Sequence, residues 1–402
     1  MDRLNVIVMG YLVRGPMGGM AWHHLQYVMG LAAMGHHVVF LEDSGDDQWA
    51  CYNPDSGVSG PDPAYGLAFA RDAFTRLGLG GQWAYHDAIT STWHGPAADR
   101  MREHCAAADV VLNLSGANPL RPWTAQIPTR VYVDTDPVFT QLRHLTDDRR
   151  LAQASGHTAF LSFGENIGAA DCGVPDDGLP WRPTRQPVVL DAWPVTPAPG
   201  AAAFTTVMQW DNTLQSVPRE YGGRRYGRKA DSFAPYVDLP QRTAATLELA
   251  LGGSSAPRDE LLSRGWVLRD PLEVARSPWS YQAYIAASRG EFAIAKEGYV
   301  VSRSGWFSER SACYLASGRP VVVQDTGFPG QLAGGEGVLG FNDLEQACAA
   351  LHDVDANYRR HCEAARAVAE DAFDARKVLE ALLDDALEMQ SDGDPVAGQR
   401  PA

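Results

Sequence analysis

Short apolar runs alternate with helix-length segments along most of the chain, and this pattern predicts an open α/β fold. The first run, residues 4–9, ends at Gly10 and is typical of a strand buried on both faces. A glycine-containing loop and a helical pattern over residues 20–34 follow, and then a second buried strand at residues 38–41. Such a unit joins parallel strands by a right-handed crossover. Further apolar runs predict strands at residues 110–113, 130–133 and 159–163.

A proline-rich segment divides this pattern into two halves. Residues 180–200 hold six prolines, and proline is disfavoured in helix interiors and in central strands. The alternation then begins again, with predicted strands at residues 204–208, 247–250, 266–268, 291–295, 320–323 and 338–341, and predicted helices at residues 258–264, 279–288, 308–317, 344–352, 358–372 and 377–389.

This organisation predicts two Rossmann-like parallel-sheet domains that face each other across a cleft. Ligands of such sheets bind at the carboxyl ends of the strands, so we expect the site in that cleft. The predicted divisions are an N-terminal domain over residues 1–185, a linker over 186–201, a C-terminal domain over 202–375, a helix crossing back over 376–389 and a disordered tail over 390–402.

Charge and composition narrow the class of partner. The chain has 402 residues, with 34 basic and 49 acidic side chains and a net charge of −15, so it would repel a nucleic-acid backbone. No run of about eighteen apolar residues predicts a membrane span, and the N-terminus has no long apolar leader. The six cysteines are scattered without a C-x-x-C pair, which is typical of free thiols in a reducing compartment. We therefore expect a cytoplasmic protein that binds neither nucleic acid nor membrane.

One segment of the second half, residues 296–329, combines a polar glycine-containing loop with a predicted helix start at Ser308. The free N–H groups and the positive dipole end of a helix attract a dianion such as a nucleoside diphosphate. Lys296 and Arg310 would neutralise charge, and Ser304 would cap the helix or bind phosphate. Glu309 would accept hydrogen bonds from ribose hydroxyls. The structural alternative makes Ser308 an ordinary helix cap and Glu309 a complement to the dipole.

A second candidate for phosphate binding follows the first predicted strand of the second half. Arg224, Arg225, Arg228 and Lys229 form the only dense basic cluster in an acidic chain. Such a cluster would stabilise an anionic leaving group. A solvated surface loop has the same composition, and this alternative stays open.

Candidate catalytic groups lie in the first half. His23 follows the glycine-containing loop, where it would act as a base or contact an acceptor. Asp134 and Asp136 follow one predicted strand and Glu165 follows the next. Their carboxylates would touch an acceptor or, for the D-x-D pair, bind a metal. Zinc-ligand spacings and a G-x-G-x-x-G fingerprint are missing from the sequence, so we predict neither a metal nor a bound cofactor.

The 296–329 segment resembles the donor-binding region of GT-B-fold glycosyltransferases, especially the family-4-like group. Glu297 begins a match to the motif E-G-F, residues 318–322 match G-x-P-V-V, and residues 325–327 match D-x-G. Gly305 and Trp306 are similar to the G-W pair of plant-type nucleotide-sugar transferases. The chain departs from the family at Cys313, which stands in the place of the second glutamate of E-x7-E.

The first half resembles the same family at its glycine pair. Gly18 and Gly19 match the G-G of a motif whose backbone amides approach the donor diphosphate, and glycine permits this because it has no Cβ. The resemblance implies that donor-binding residues lie on both halves: Gly18, Gly19, Arg228, Lys229, Lys296, Glu297, Ser304, Gly305, Trp306, Ser308, Glu309, Arg310, Asp325, Thr326 and Gly327.

The activity that the resemblance implies is transfer of a sugar, of the hexosyltransferase type, from a nucleotide-diphosphate-sugar donor to a small-molecule acceptor. Fixed cations and dipoles would replace a metal. Two alternatives are a nucleotide-sugar epimerase of the same fold and a non-catalytic protein that binds a nucleotide or a sugar. The sequence leaves open the base, the sugar, the acceptor, the oligomeric state and whether the anomeric configuration is retained.

Overall fold

The structure is a computed structural model that describes residues 3–197, 202–210, 220–328, 332 and 335–393. The elements of the first half are β1 (Asn5–Met9), α1 (Gly18–Ala33), β2 (His37–Asp43), β3 (Cys51–Asn53), β4 (Val58–Gly60), α2 (Ala64–Arg76), β5 (Trp83–Asp87), β6 (Thr92–His94), α3 (Met101–Ala106), β7 (Val110–Leu114), β8 (Thr129–Asp134), α4 (Phe139–Thr146), α5 (Asp148–Ala154), β9 (Ala159–Ser162) and β10 (Arg182–Pro183).

The elements of the second half begin after the proline-rich segment. They are β11 (Phe204–Gln209), β12 (Glu220–Tyr221), β13 (Arg224–Arg225), α6 (Lys229–Phe233), β14 (Leu247–Gly252), α7 (Arg258–Ser263), β15 (Val267–Arg269), α8 (Pro271–Ala275), α9 (Pro278–Ala287), β16 (Gly290–Ala293), α10 (Glu297–Ser302), α11 (Glu309–Ala316), β17 (Val321–Gln324), β18 (Val338–Phe341), α12 (Leu344–Ala356), α13 (Tyr358–Ala372) and α14 (Ala375–Gly393).

The first sheet has the strand order β10-β9-β8-β7-β1-β2-β5-β6. All neighbouring pairs are parallel except β5 and β6, and Val6 of β1 lies beside Val38 on one side and Val110 on the other. The chain leaves β1 first toward β2 and later toward β7, so the order reverses between β1 and β7. Open α/β sheets bind ligands in the crevice at such a reversal.

The second sheet has the order β15-β14-β11-β16-β17-β18, with every neighbouring pair parallel. Its order reverses between β11 and β16. The two halves therefore repeat one topology, as the sequence predicts. Each half presents a crevice at the carboxyl ends of its central strands.

Apolar residues from both halves share one core. Trp22 of α1 and Trp193 of the connecting segment are fully buried with ring centroids 5.0 Å apart, among residues from α9, α11 and α13. The indole N–H of Trp22 donates to the carbonyl of Pro278 at 2.8 Å, at the start of α9. Burial of a large side chain contributes roughly 1.5–3 kcal/mol, so this cluster ties the halves together.

The last helix crosses back to the first half, as expected from the sequence. Helix α14 packs against α1, β8 and β9, and its Leu379, Leu382 and Leu383 are buried in the core of the first sheet. The expected boundaries need correction, because this helix begins at Ala375 and continues to Gly393 rather than ending at residue 389. The rest of the expected tail, residues 394–402, lies outside the described residues.

Three further expectations also need correction. Helix α1 begins at Gly18, so His23 lies in its second turn rather than at its start. The polar loop expected after Ala295 contains helix α10. Strand β5 was not predicted, because its tyrosine, histidine and aspartate interrupt the apolar pattern. The strand is nevertheless buried along its whole length. The proline-rich segment includes β10, an edge strand beside β9 where a proline costs no ladder bond.

Helices of membrane-spanning length and apolarity are lacking in the described part of the chain.

Candidate functional site in the cleft

The two crevices face each other, and polar contacts join the loops that follow their strands. After β8, the Asp136 carboxylate accepts from the Lys296 ammonium at 2.6 Å, and the Thr135 carbonyl accepts from the Trp306 indole at 3.3 Å. After β9, the backbone N–H of Asn166 donates to the Ser304 carbonyl at 3.1 Å. These contacts place the predicted donor segment directly opposite the first sheet.

A small open pocket lies at the carboxyl ends of β16 and β17, beside the start of α11. Four of the predicted donor-binding residues line it: Trp306, Ser308, Arg310 and Thr326. Ser308 caps α11, since its hydroxyl accepts from the Arg310 backbone N–H at 3.2 Å. The cap and the remaining free amides of this helix turn give the pocket a positive edge.

Three basic side chains act electrostatically on one another at this edge. Burial, together with the charges of Arg310 and Lys296, lowers the pKa of Lys229 to about 7, although Glu291 and Glu309 oppose the shift. Arg310 is fixed by the buried carboxylate of Glu291 and by the Val207 carbonyl at 3.0 Å. A site that crowds several cations in this way favours an anionic ligand.

Glu309 is the carboxylate of the cleft whose partner is missing. Within the described residues it has no hydrogen bond or ion pair, yet its charge acts on Tyr11, His23 and Tyr27 across the cleft. It lies half-buried in the first turn of α11. An unpaired carboxylate at this place is free to accept hydrogen bonds from a bound molecule.

His23 faces this carboxylate from α1. Its Nδ1 is buried and has no hydrogen-bond partner among the described residues, and burial lowers the pKa of the ring although Glu309 opposes the shift. The next residue, His24, differs because Nδ1 bonds to the Met20 carbonyl at 2.7 Å and Nε2 accepts from the Tyr11 N–H at 3.3 Å. His24 is therefore a structural residue, whereas Nδ1 of His23 is bonded to none of the described residues.

The loops on the second half are held in shape by Asn166 of the first. Its side-chain amide donates to the carbonyls of Arg303 at 2.9 Å and Gly327 at 3.3 Å. Gly305 has φ +79°, a left-handed conformation that favours glycine, and a Cβ there would lie 2.9 Å from Asn166. Asp325 accepts from the Gly327 N–H at 2.7 Å. Ser304, Gly305, Asp325 and Gly327 thus shape the rim of the pocket.

Asp134, a predicted catalytic residue, has a structural role instead. Its carboxylate is fully buried and accepts from Thr140 at 2.7 Å, Ser162 at 2.8 Å and Gln141 at 3.1 Å, besides the Asp136 N–H at 2.9 Å. With these four donors it fixes the start of α4 against the end of β9. The two carboxylates of the D-x-D pair therefore serve different partners.

Glu165 is also committed within the fold. Both of its carboxylate oxygens accept from the guanidinium of Arg185, at 2.9 and 2.7 Å. This bidentate pair joins the loop after β9 to the start of the proline-rich segment. It removes Glu165 from the catalytic groups that the sequence suggested.

Gly18 and Gly19 lie in the first turn of α1, where they pack against α9 of the second half. A Cβ on Gly18 would lie 2.2 Å from the Ser277 carbonyl oxygen, and one on Gly19 would lie 3.2 Å from the ring of Tyr281. The structure therefore gives the pair a packing role between the halves, whereas the resemblance implied an approach to the diphosphate.

Arg228 and Glu297 meet at the base of the site. The Arg228 carbonyl accepts from the Glu297 N–H at 3.4 Å, which joins the starts of α6 and α10. The backbone N–H of Arg228 donates to the Asp231 carboxylate at 2.6 Å. This joint places Lys229, the first residue of α6, beside Lys296.

The crevice of the first half is filled by its own carboxylate. Buried Glu42 accepts from the backbone N–H groups of Leu12, Val13 and Arg14 at 2.6, 2.7 and 2.8 Å, just after β1. A phosphate would use the same three amides. An anionic ligand is therefore directed to the second half.

Sequence reasoning missed three groups of this site. Tyr11 and Tyr27 face Glu309 from the first half, and Glu291 fixes Arg310 from β16. Only Tyr11 carried a signal, because it follows the first strand directly at the carboxyl edge of the sheet. Tyr27 and Glu291 lie inside elements, where a polar residue is not recognisable as part of a site.

No family model matches the chain, and no curated protein matches it in sequence. Solved structures match it over nearly its whole length. An α-glucosyltransferase in complex with UDP is 10% identical, with TM-score 0.55, over 95% of this chain and 99% of that one. An α-glucosyltransferase with UDP and a 13-mer DNA is 9% identical, with TM-score 0.54, over 96% and 100%. HepE from Anabaena, in complex with UDP and glucose, is 10% identical, with TM-score 0.53, over 95% and 99%.

This similarity defines the fold. The chain has the GT-B fold, two Rossmann-like α/β units facing each other across a cleft, as the resemblance implied. At 10% identity or less the likeness extends to the fold alone.

Proposed function

We propose that the protein is a glycosyltransferase that moves a sugar from a nucleoside-diphosphate sugar to an acceptor bound against the first half. The observation that carries the proposal is a group of three cations, Lys229, Lys296 and Arg310, that act on one another electrostatically, with Arg310 lining the pocket at the start of α11. A nucleoside diphosphate is the anion that such an edge fits, and the neighbouring structures that hold UDP share this fold.

The proposed reaction breaks the bond between the anomeric carbon of the sugar and the diphosphate oxygen. The diphosphate leaves with an additional negative charge, which Lys229, Lys296 and the first turn of α11 stabilise. The acceptor oxygen forms the new bond and loses its proton to a base. His23 is the base or acceptor contact that we propose, because its ring faces Glu309 with Nδ1 unpartnered.

The proposed acceptor is a small molecule. One neighbouring structure holds DNA, but the net charge of −15 on this chain opposes the approach of a phosphate backbone. Fixed cations take the place of a metal in this proposal, and the transferred group is a hexose. The proposed cellular location of the protein is the cytoplasm.

Calorimetry with UDP, GDP, ADP and dTDP tests the donor site. We expect one of them to bind, and Lys229→Ala to weaken its binding by about 1–3 kcal/mol, the range for a charge-assisted contact. Lys377→Ala is the matched control, since this lysine is exposed on α14. If none of the four nucleotides binds the folded protein, the donor site is wrongly assigned.

Turnover distinguishes transfer from the alternatives. We expect release of nucleoside diphosphate from the matching nucleotide sugar to rise when a panel of small hydroxylated acceptors is added, and not when DNA is added. A change in the sugar of the nucleotide without any acceptor would instead indicate an epimerase. Tight binding without sugar release under every acceptor would indicate a non-catalytic binding protein.

A further inference from the structure

Asp136 brings a negative charge from the first half into the cationic edge of the second. Its carboxylate accepts from the Lys296 ammonium at 2.6 Å and from the Tyr299 hydroxyl, and the Arg143 guanidinium lies 3.6 Å away. Lys296 precedes α10 and Tyr299 lies within it, so these two donors belong to the half that holds the pocket. A cation and a hydroxyl from one half thus enclose a carboxylate from the other.

The surroundings of this contact are those of an anion-binding position. The Lys296 ammonium lies 4.6 Å from the ring centroid of Phe139, and Tyr299 stacks on Trp306 with centroids 4.3 Å apart. These rings pack against both donors and exclude part of the surrounding water, which strengthens their attraction for a negative group. Trp306 also lines the pocket, so the carboxylate and the pocket adjoin.

We propose that Asp136 is an internal competitor of the donor: its carboxylate occupies the position on Lys296 and Tyr299 that an anionic group of the donor takes. The inference rests on the proposed function and deepens it. Binding of the donor then requires Lys296 to exchange one negative partner for another. The contact between Asp136 and Lys296 must break before the donor binds. The free energy of that contact therefore lowers the affinity of the cleft for the donor.

A comparison with Glu42 separates a permanent internal anion from a displaceable one. Glu42 is fully buried and is bound by three backbone amides that cannot move away. The side chains of Asp136 and Lys296 retain 19% and 33% of their exposure, and side-chain groups alone hold the carboxylate from the second half. The Asp136 contact can therefore open without unfolding a loop.

Titration calorimetry with UDP and with inorganic pyrophosphate tests this proposal on the full chain. Asp136→Asn removes the charge but keeps the shape, and we expect roughly three- to ten-fold tighter binding of the probe, the worth of one partly exposed ion pair. Asp171→Asn is the matched control. It also removes an ion pair between the halves, with Arg303, but at an exposed position outside the site.

A double variant shows whether the gain acts through Lys296. Lys296→Ala should weaken binding, and adding Asp136→Asn to it should restore nothing, because the competitor has lost its target. Asp136→Ala serves as a second variant should the asparagine misfold, with thermal melting as the check on folding. Equal or weaker binding by both Asp136 variants would overturn the competitor while leaving the donor site intact. If the wild type binds neither UDP, another nucleoside diphosphate nor pyrophosphate, the proposed function fails and this inference fails with it.

Discussion

Lys229 is a lysine that titrates near neutral pH, and this property makes the proposed donor site sensitive to pH. Burial, Arg310 and Lys296 lower its pKa to about 7, while Glu291 and Glu309 act in the opposite direction. A bound diphosphate adds negative charge and raises the pKa again, so that binding takes up a proton. The affinity should therefore fall as the pH rises from about 7 to 9, because the free protein then holds an uncharged amine.

Calorimetry in buffers of different ionisation enthalpy measures this uptake, and we expect about half a proton at pH 7. Lys229→Arg keeps the positive charge at every pH of the experiment and should remove both the uptake and the pH dependence. The same proton uptake in this variant would show that another group titrates.

His23 offers a test of function against structure at a single side chain. Its buried Nδ1 has no hydrogen-bond partner in the part of the chain that the structure describes, and such an unmet group costs roughly 1–3 kcal/mol of stability. His23→Leu should therefore leave the melting temperature unchanged or raise it, while lowering turnover by ~10²–10⁴ with donor binding retained. Normal turnover in the variant would make His23 an ordinary buried residue.

His24→Leu is the matched control for that experiment. Both of its ring nitrogens are bonded, so its replacement should lower the melting temperature and leave the backbone N–H of Tyr11 without its acceptor. A stable His24→Leu protein would contradict this division of roles between the two histidines.

At the residue scale, sequence reasoning recognised charged groups but not their partners. Lys229, Lys296 and Arg310 lie near enough to one another to interact electrostatically, and Arg310 lines the pocket; their role in donor binding stays a prediction. Asp134 and Glu165 are carboxylates that follow or end strands, as the candidate catalytic groups were expected to do. Both accept hydrogen bonds from donors within the fold. The side-chain donors lie between 6 and 28 residues away along the chain, and a motif does not show where they fold.

Among the elements, the contact between α1 and α9 depends on Gly18. A methyl group there would lie 2.2 Å from a backbone carbonyl oxygen of Ser277, which cannot rotate away as a side chain would. Gly18→Ala should therefore lower the free energy of unfolding by about 1–3 kcal/mol. Chemical denaturation measures the change.

Gly60→Ala is the control, because its Cβ would meet no atom within 4 Å. Nucleotide affinity adds a second readout to the Gly18 experiment. Unchanged affinity in the folded variant would assign Gly18 to packing alone, as the structure indicates. If Gly18→Ala denatures at the same denaturant concentration as the wild type, the two helices separate easily enough to accommodate the methyl group.

The elements themselves were largely predictable, and the exceptions share a cause. Strands β1, β7 and β17 are largely apolar runs that are buried in a parallel sheet, so their composition reveals them. Strand β5 is just as buried but ends in histidine and aspartate, which bond within the fold. When polar residues of a strand have buried hydrogen-bond partners, the pattern of hydrophobic residues does not predict the strand.

At the scale of the whole molecule, the final helix packs the end of the chain onto the first half, and we expect the two halves to unfold as one cooperative unit. Helix α14 follows the last elements of the second half, yet its Leu383 is fully buried in the core of the first sheet. Trp22 and Trp193 form a second apolar contact between the halves. Neither half can therefore unfold without exposing apolar surface of the other.

Leu383→Ala tests this coupling, and the expected loss is about 2–5 kcal/mol, the range for a leucine removed from a packed core. Because the helix follows the second half in the chain and packs on the first, the variant should melt in a single transition at a lower temperature, with circular dichroism and tryptophan fluorescence coinciding. Glu380→Ala, on the exposed side of the same helix, should melt like the wild type. Two separate transitions, only one of them shifted, would show that the halves unfold independently and that α14 is merely an attachment to the first.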